Sequence, residues 1–213
     1  HAIRAVSLMF ITARIEKKAI SKLLPILTDV DGVLLEWEPA FTKWMNSKGY
    51  EVQTEGVYKQ AKRFGIEQTL SDTLTNTFNE SAWMGYLDPM PGAVEWVERF
   101  GIEGYTFECL TSQSSDKCAG DLRRYNLAQV FGDEVITSCM CIDTGSDKDD
   151  YLTQWEPGHW WIEDKPANAI AGLKAGHKPI LITHPYNKDF EHEGVHRADT
   201  WEDIFNIILS VDN

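Results

Sequence analysis

The sequence predicts an α/β chain: a parallel sheet with helices on both faces, interrupted early by a mostly helical insertion. Three observations lead there. Short apolar runs of β character alternate with helical patterns. Polar residues gather just after those runs, where the strand ends of an open α/β sheet form a ligand crevice. Between Trp37 and Asp88 the pattern turns helical and rich in aromatics for about 50 residues, too long for a plain connection.

Taken in order, Ile26-Leu27-Thr28-Asp29-Val30 reads as a buried strand ending in carboxylates. Pro39 to Lys48 and Gln68 to Met84 read as helices of the insertion. Ala93 to Phe100 reads as a helix, Tyr105 to Leu110 as a second strand, and Thr111 to Ser115 as the polar turn after it. Lys117 to Tyr125 is helical and Val135-Ile136-Thr137 is a third strand. His159 to Ile162 forms a fourth, ending at Glu163-Asp164, followed by a helix from Ala167 to Ala175. Pro179 to Thr183 forms a fifth, ending at His184. This divides the chain into an N-terminal extension at 1–24, a core at 25–36 and 89–213, and an inserted cap at 37–88. The extension is expected to be an extra element, a helix ending near Pro25. Arg4 and the apolar stretch Ala5 to Ala13 resemble a signal peptide only weakly, because charged residues follow at once.

Composition narrows the function. The 213 residues carry 20 Lys and Arg against 33 Asp and Glu, a net charge of −13, with 43% hydrophobic residues. That apolar fraction is too high for a disordered chain, and no apolar run approaches the roughly 18 residues of a membrane span. The acidity argues against a nucleic-acid polymer as partner, because its phosphates attract Lys and Arg. Cys109, Cys118, Cys139 and Cys141 form no CxxC pair, which fits reduced thiols in a cytoplasmic protein. His184, His192 and His196 lack the spacing of a zinc site, and Asp143 to Asp150 reads as a solvated acidic loop.

The chemistry centres on Asp29-Val30-Asp31-Gly32-Val33. Two carboxylates two residues apart, just past a buried strand, are costly unless something uses them. Leu110-Thr111-Ser112 after the second strand offers hydroxyls and backbone N–H groups that suit phosphoryl oxygens. Trp161-Ile162-Glu163-Asp164-Lys165-Pro166-Ala167-Asn168 ends the fourth strand in an acidic pair. Each element alone also fits an ordinary turn or a solvated strand end. Their order and placement resemble the haloacid dehalogenase (HAD) superfamily.

That resemblance implies an enzyme with Asp29 as nucleophile and Asp31 as general acid/base. It implies Thr111, Ser112 and Lys148 around the phosphoryl group, with Lys117 as a competitor for the lysine. It further implies Mg²⁺ held by the Asp29 carboxylate, the Asp31 carbonyl and Asp164, with Glu163 binding directly or through water. The fold it implies is a Rossmann-like core with a small helical cap. Asp31 favours a phosphohydrolase over a dehalogenase.

Within the superfamily the chain resembles the 5′(3′)-deoxyribonucleotidase group. The similarity rests on Leu34 to Glu38, on Tyr86-Leu87-Asp88-Pro89-Met90-Pro91-Gly92-Ala93-Val94-Glu95, on Thr111-Ser112, on His184 to Asn187 and on Ala198 to Ile204. Glu163 departs from the group, which often has two Asp there, and Glu51 to Thr77 matches it poorly. The group places a base-stacking aromatic where Trp37 stands, and Phe41 is a second candidate. Both also fit simple packing. The implied substrate is a nucleoside monophosphate, with sugar phosphates as the alternative and a non-catalytic binding module as a third reading. The protein is expected to act as a monomer or homodimer.

Overall fold

A computed structural model describes residues 23–212. The element expected over 1–24 lies almost wholly outside those residues. Strands β1 (Ile26–Thr28), β2 (Phe107–Ser112), β3 (Ile136–Ile142), β4 (Trp160–Glu163), β5 (Lys178–Ile182) and β6 (His196–Ala198) form one sheet, with order β3-β2-β1-β4-β5-β6. Every neighbouring pair is parallel. β1 sits centrally, with Ile26 opposite Phe107 and Leu27 opposite Trp161.

Alternate residues of each strand serve opposite faces. Ile26, Phe107, Trp160 and Ile162 join the larger core, which α4 (Ala93–Ile102), α5 (Lys117–Phe131) and α8 (Trp201–Asp212) cover with Val97, Phe100, Leu127, Ile204 and Ile208. Leu27, Leu110 and Trp161 face the other way, under Leu152 of α6 (Asp149–Leu152) and Ala171 of α7 (Pro166–Lys174). Each fully buried Leu, Ile or Phe contributes about 1.5–3 kcal/mol. On this second face α7 lies very close to the sheet. A Cβ on Gly172 would come within 2.3 Å of Trp161 Cδ1. The Trp161 indole in turn donates to the Asn168 carbonyl at 3.0 Å.

Helices α1 (Trp37–Ser47), α2 (Gln60–Phe64) and α3 (Gln68–Asn79) and a 3₁₀ turn (Ala82–Gly85) lie between β1 and β2. The helix expected over Gln68 to Met84 breaks at Glu80, because the Ser81 hydroxyl accepts from the Trp83 N–H and starts the tighter turn. Phe41, Trp44, Phe64 and Phe78 pack together in this segment and are continuous with the larger core. Phe41 stands 5.3 Å from Phe78 and 5.8 Å from Phe64, both edge-on. Arg63 of α2, almost fully buried, ties that helix to Glu38 of α1 at 3.2 Å.

The strands differ from the sequence reading at several ends. β2 starts at Phe107 rather than Tyr105 and carries Thr111 and Ser112, read as turn, inside the strand, because both pair with β3. β4 and β5 shift by one residue. β3 runs on to Ile142, because it pairs along the whole of β2. Val30 falls outside β1, its carbonyl capturing the Leu34 and Leu35 N–H groups of the turn. β6 has little apolar signal of its own and exists through its pairing with β5.

Candidate active site

The turn after β1 sets the site. Asp29 leaves the strand with its Oδ1 accepting from the Val30 N–H at 2.7 Å. Gly32 then turns the chain with φ +76°, in the left-handed region that favours glycine. Space demands glycine as well: a Cβ there would meet Asp164 Oδ2 at 2.7 Å. The close approach of the first turn to the fourth strand end therefore depends on this residue.

Lys148, the residue before α6, is 1% exposed and bridges two strand ends. Its Nζ lies 2.6 Å from Asp29 Oδ2 and 3.0 Å from Glu163 Oε2, and 5.2 Å from the Trp161 ring centre. Lys117 is instead exposed and pairs with Asp121 at 2.7 Å. Glu163 is fully buried. Its Oε1 accepts from the N–H groups of Asp164 and Lys165, and its Oε2 from Lys148 and Asn168. The Asp164 carbonyl accepts from Asn187, whose amide also holds the Ile182 carbonyl and whose Oδ1 takes the His184 N–H. Tyr186 donates to Asp164 Oδ2 and stacks on His184, which contacts the Gly32 carbonyl at 2.7 Å.

Carboxylate oxygens of Asp29, Glu163 and Asp164 lie within 4.8 Å of one another. With Lys148 as their cation, three carboxylates face one ammonium. Burial, then the Glu163 charge, pushes the Asp29 carboxyl up to about 7 against the pull of Lys148. Glu163 and Asp164 are raised as well, burial being the leading cause in both. Burial opposes the charge on Lys148, yet Asp29 and Glu163 hold it above the usual lysine range. The cluster thus lacks positive charge, and its donors are all hard oxygens. That set fits a divalent cation such as Mg²⁺.

Asp29, Asp164 and Lys148 floor a cavity of about 860 Å³ that also meets the helical segment, with Glu163 buried beneath it. Thr111 and Ser112 line it at the end of β2. The Ser112 hydroxyl donates to the Ser146 carbonyl at 2.9 Å. The Thr111 hydroxyl is buried and without a hydrogen-bond partner, which is costly unless a ligand completes it. Asp31 lines the cavity too, its carboxyl raised by enclosure and held down by Arg123. From the opposite wall, Gln68, Ser71, Asp72, Thr75 and Asn79 form one polar row along α3. Tyr58 reaches across to Tyr186, ring centres 5.3 Å apart.

Trp37 borders the cavity and donates to Asn79 Oδ1 at 2.9 Å. Phe41 does not line it. It is fully buried and stacks behind Trp37 at 4.6 Å, so direct contact with a substrate base is corrected to support of the indole. Arg123, Gln113, Asn79 and Tyr186 escaped the sequence reading. Arg123 had a signal: it shares the buried stripe of α5 with Ala119, Asn126 and Leu127, where a charge is out of place.

No family model matches the chain. It is similar to an uncharacterized 32.4 kDa protein of the Gp30–rIII intergenic region of Enterobacteria phage T4, 24% identical over 194 residues, covering 87% of this chain and 69% of that protein. A haloacid dehalogenase-like hydrolase from Streptococcus pneumoniae superposes with a TM-score of 0.61 at 12% identity, over 88% of this chain and 99% of its own. D,D-heptose 1,7-bisphosphate phosphatase from B. bronchiseptica, complexed with magnesium and phosphate, superposes at 0.55 with 14% identity, over 89% and 99%. Dehalogenases share the architecture as well. With its six-stranded parallel sheet and helices on both faces, the chain has the fold of the HAD-superfamily hydrolases.

Proposed function

We propose that the protein is a Mg²⁺-dependent phosphomonoesterase acting on a small phosphate ester, with a nucleoside monophosphate as the substrate class. The observation that carries this reading is the cavity floor, where Asp29 stands beside buried Lys148 and the unpartnered Thr111 hydroxyl. That hydroxyl and that ammonium suit the oxygens of a phosphoryl group. Asp31 adds a proton donor that displacement of halide would leave idle.

Asp29 attacks phosphorus in line, forming an aspartyl-phosphate as the ester oxygen departs with a proton from Asp31. Asp31 then takes a proton from water, which attacks phosphorus, frees phosphate and restores Asp29. Lys148, Thr111 and Ser112 hold the phosphoryl oxygens and offset their charge. Bound Mg²⁺ reduces the repulsion between the Asp29 carboxylate and the phosphate dianion. Asp29, Asp164 and the Asp31 carbonyl would hold it. Glu163 belongs to the same acidic group, and its four engaged lone-pair positions suit it to fixing Lys148.

Residues 37–88 are proposed to work as a cap that excludes water and selects the leaving group. The Trp37 indole, backed by Phe41, supports a nucleobase partner. The polar row on α3 favours the second reading, a sugar phosphate. The four cysteines are free, which supports a cytoplasmic setting. Among the described residues no helix is long and apolar enough to cross a membrane.

A panel of nucleoside monophosphates and sugar phosphates, with Mg²⁺ or with EDTA, tests the proposal. Phosphate release that needs Mg²⁺ and disappears in Asp29→Asn is the expected result. Release unaffected by Asp29→Asn, or none from any ester, overturns it.

A further inference from the structure

Helix α5 buries a charge. Arg123 is 0% exposed, on the same stripe as Ala119, Asn126 and Leu127. A guanidinium taken out of water costs several kcal/mol unless its partners are fixed in place. Here Nη2 and Nε have fixed partners, while Nη1 is buried without one. Its Nη2 stands 2.7 Å from Asp31 Oδ1 and donates to Oδ2 at 2.9 Å. Its Nε donates to Gln113 Oε1 at 3.0 Å.

Gln113 is itself fully buried. Its Nε2 donates to the Asn79 and Ala119 carbonyls at 3.0 and 3.1 Å. Its own carbonyl accepts from Asn79 Nδ2 at 3.0 Å and from the Thr144 hydroxyl. Asn79 closes α3, and its Oδ1 receives the Trp37 indole N–H. An unbroken hydrogen-bonded path therefore runs from the helical segment through Gln113 and Arg123 to Asp31.

We propose that Arg123 is the positioning residue for Asp31, and that Gln113 and Asn79 tie its placement to the helical segment over the cavity. This rests on the acid/base reading of Asp31. Arg123 does not line the cavity, so it acts through Asp31. Asp31 is 23% exposed at its side chain and has room to turn, while a proton donor works only within about 2.6–3.2 Å of its target. Misplacing such a group by about 1 Å lowers turnover about a hundredfold. Lysine at this position keeps the charge but cannot hold Asp31 and Gln113 from two separate nitrogens of a rigid plane.

The test compares p-nitrophenyl phosphate with phenyl phosphate in the full chain with Mg²⁺. The two esters have nearly the same shape, but nitrophenolate leaves without a proton and the far more basic phenolate needs one. In Arg123→Lys, first-turnover release of phenol is expected to fall about tenfold or more, within the range that general acid catalysis supplies. First-turnover release of nitrophenolate, and the KM values read from that first turnover for both esters, stay within about threefold, since that step and binding do not use the placement of the acid. The selective loss disappears when Arg123→Lys is made in an Asp31→Asn background, because the two residues act as one unit.

Equal losses on both esters, no loss, or a change in KM alone overturns the positioning role. Absence of wild-type turnover on both aryl esters and on the nucleotide and sugar-phosphate panel overturns the phosphatase reading and this proposal with it. Where Arg123→Lys does not fold, Gln113→Met removes the Nε contact, together with the Nε2 bonds to the Asn79 and Ala119 carbonyls, and leaves both Arg123 bonds to Asp31. The same selectivity there supports the proposal, and its absence overturns it.

Discussion

Lys148 Nζ stands 2.6 Å from Asp29 Oδ2, an ion pair formed almost wholly out of water between residues 119 positions apart. Removing one partner of such a pair leaves a buried, uncompensated charge, which costs about 3–5 kcal/mol. Lys148→Met exposes both Asp29 and Glu163 to that penalty. Denaturant unfolding of the metal-free protein is expected to show a loss of at least about 3 kcal/mol. Phosphate release is expected to fall at least about a hundredfold, since a preorganised charge on the phosphoryl oxygens is lost. A stability change below 1 kcal/mol (roughly the worth of an exposed pair) would place the ammonium outside the site.

The Asp29 carboxyl, pushed up to about 7 from an ordinary value of 3.8, gives the metal-free protein a pH signature. Its folded pKa lies above its unfolded one, so the folded state binds more protons between those values. Stability conferred by this group therefore rises as pH falls from 8 through 7. His177 and His184 work in the opposite sense, because burial lowers both and acid favours their unfolded, charged forms. They begin to offset the gain below their ordinary value of 6.5. Urea unfolding in EDTA is expected to show greater stability at pH 6.8 than at pH 8, with the slope reduced in Asp29→Asn. A flat profile in the parent protein would contradict the raised carboxyl.

Gly32→Ala joins a strained backbone to a collision. The residue sits at φ +76° and its Cβ would press on Asp164 Oδ2 at 2.7 Å. Backbone strain alone costs about 1–3 kcal/mol. Mg²⁺ affinity, followed by calorimetry, is expected to drop because Asp164 must give way. Unchanged affinity in a folded Gly32→Ala protein would separate Asp164 from the cation.

Trp37→Ala is expected to raise KM for nucleoside monophosphates about thirtyfold, the middle of the range for one base stacked on an aromatic ring. KM for p-nitrophenyl phosphate is expected to stay within about twofold, its ring being too small to demand the indole. Equal effects on both would assign the indole to packing with Phe41 and to its bond with Asn79.

The sheet core was legible because strands buried on both faces read as apolar runs, and Ile26 to Thr28 or Trp160 to Ile162 announce themselves. The site residues at the ends of these strands were legible for the same reason: the topology decides which loop ends meet. β6 was not legible, because His196-Arg197-Ala198 gains its extended form only by pairing with β5. Arg123 and Gln113 were missed because their roles exist only once α5 and the turn after β2 are brought against Asp31. The fate of Phe41 was undecidable from sequence, since a stacking ring and a packed ring have the same composition. Only the third dimension places it behind Trp37.

The 2.3 Å gap between the Cβ position of residue 172 and Trp161 makes α7 a spacer whose thickness sets the level of the cavity floor. Trp161 lies between that helix and the Lys148 ammonium, 5.2 Å away. Any side chain at 172 would push the indole, and the indole would shift the charge that faces Asp29. A residue outside the lining of this cavity thus bears on the placement of the charge beneath it.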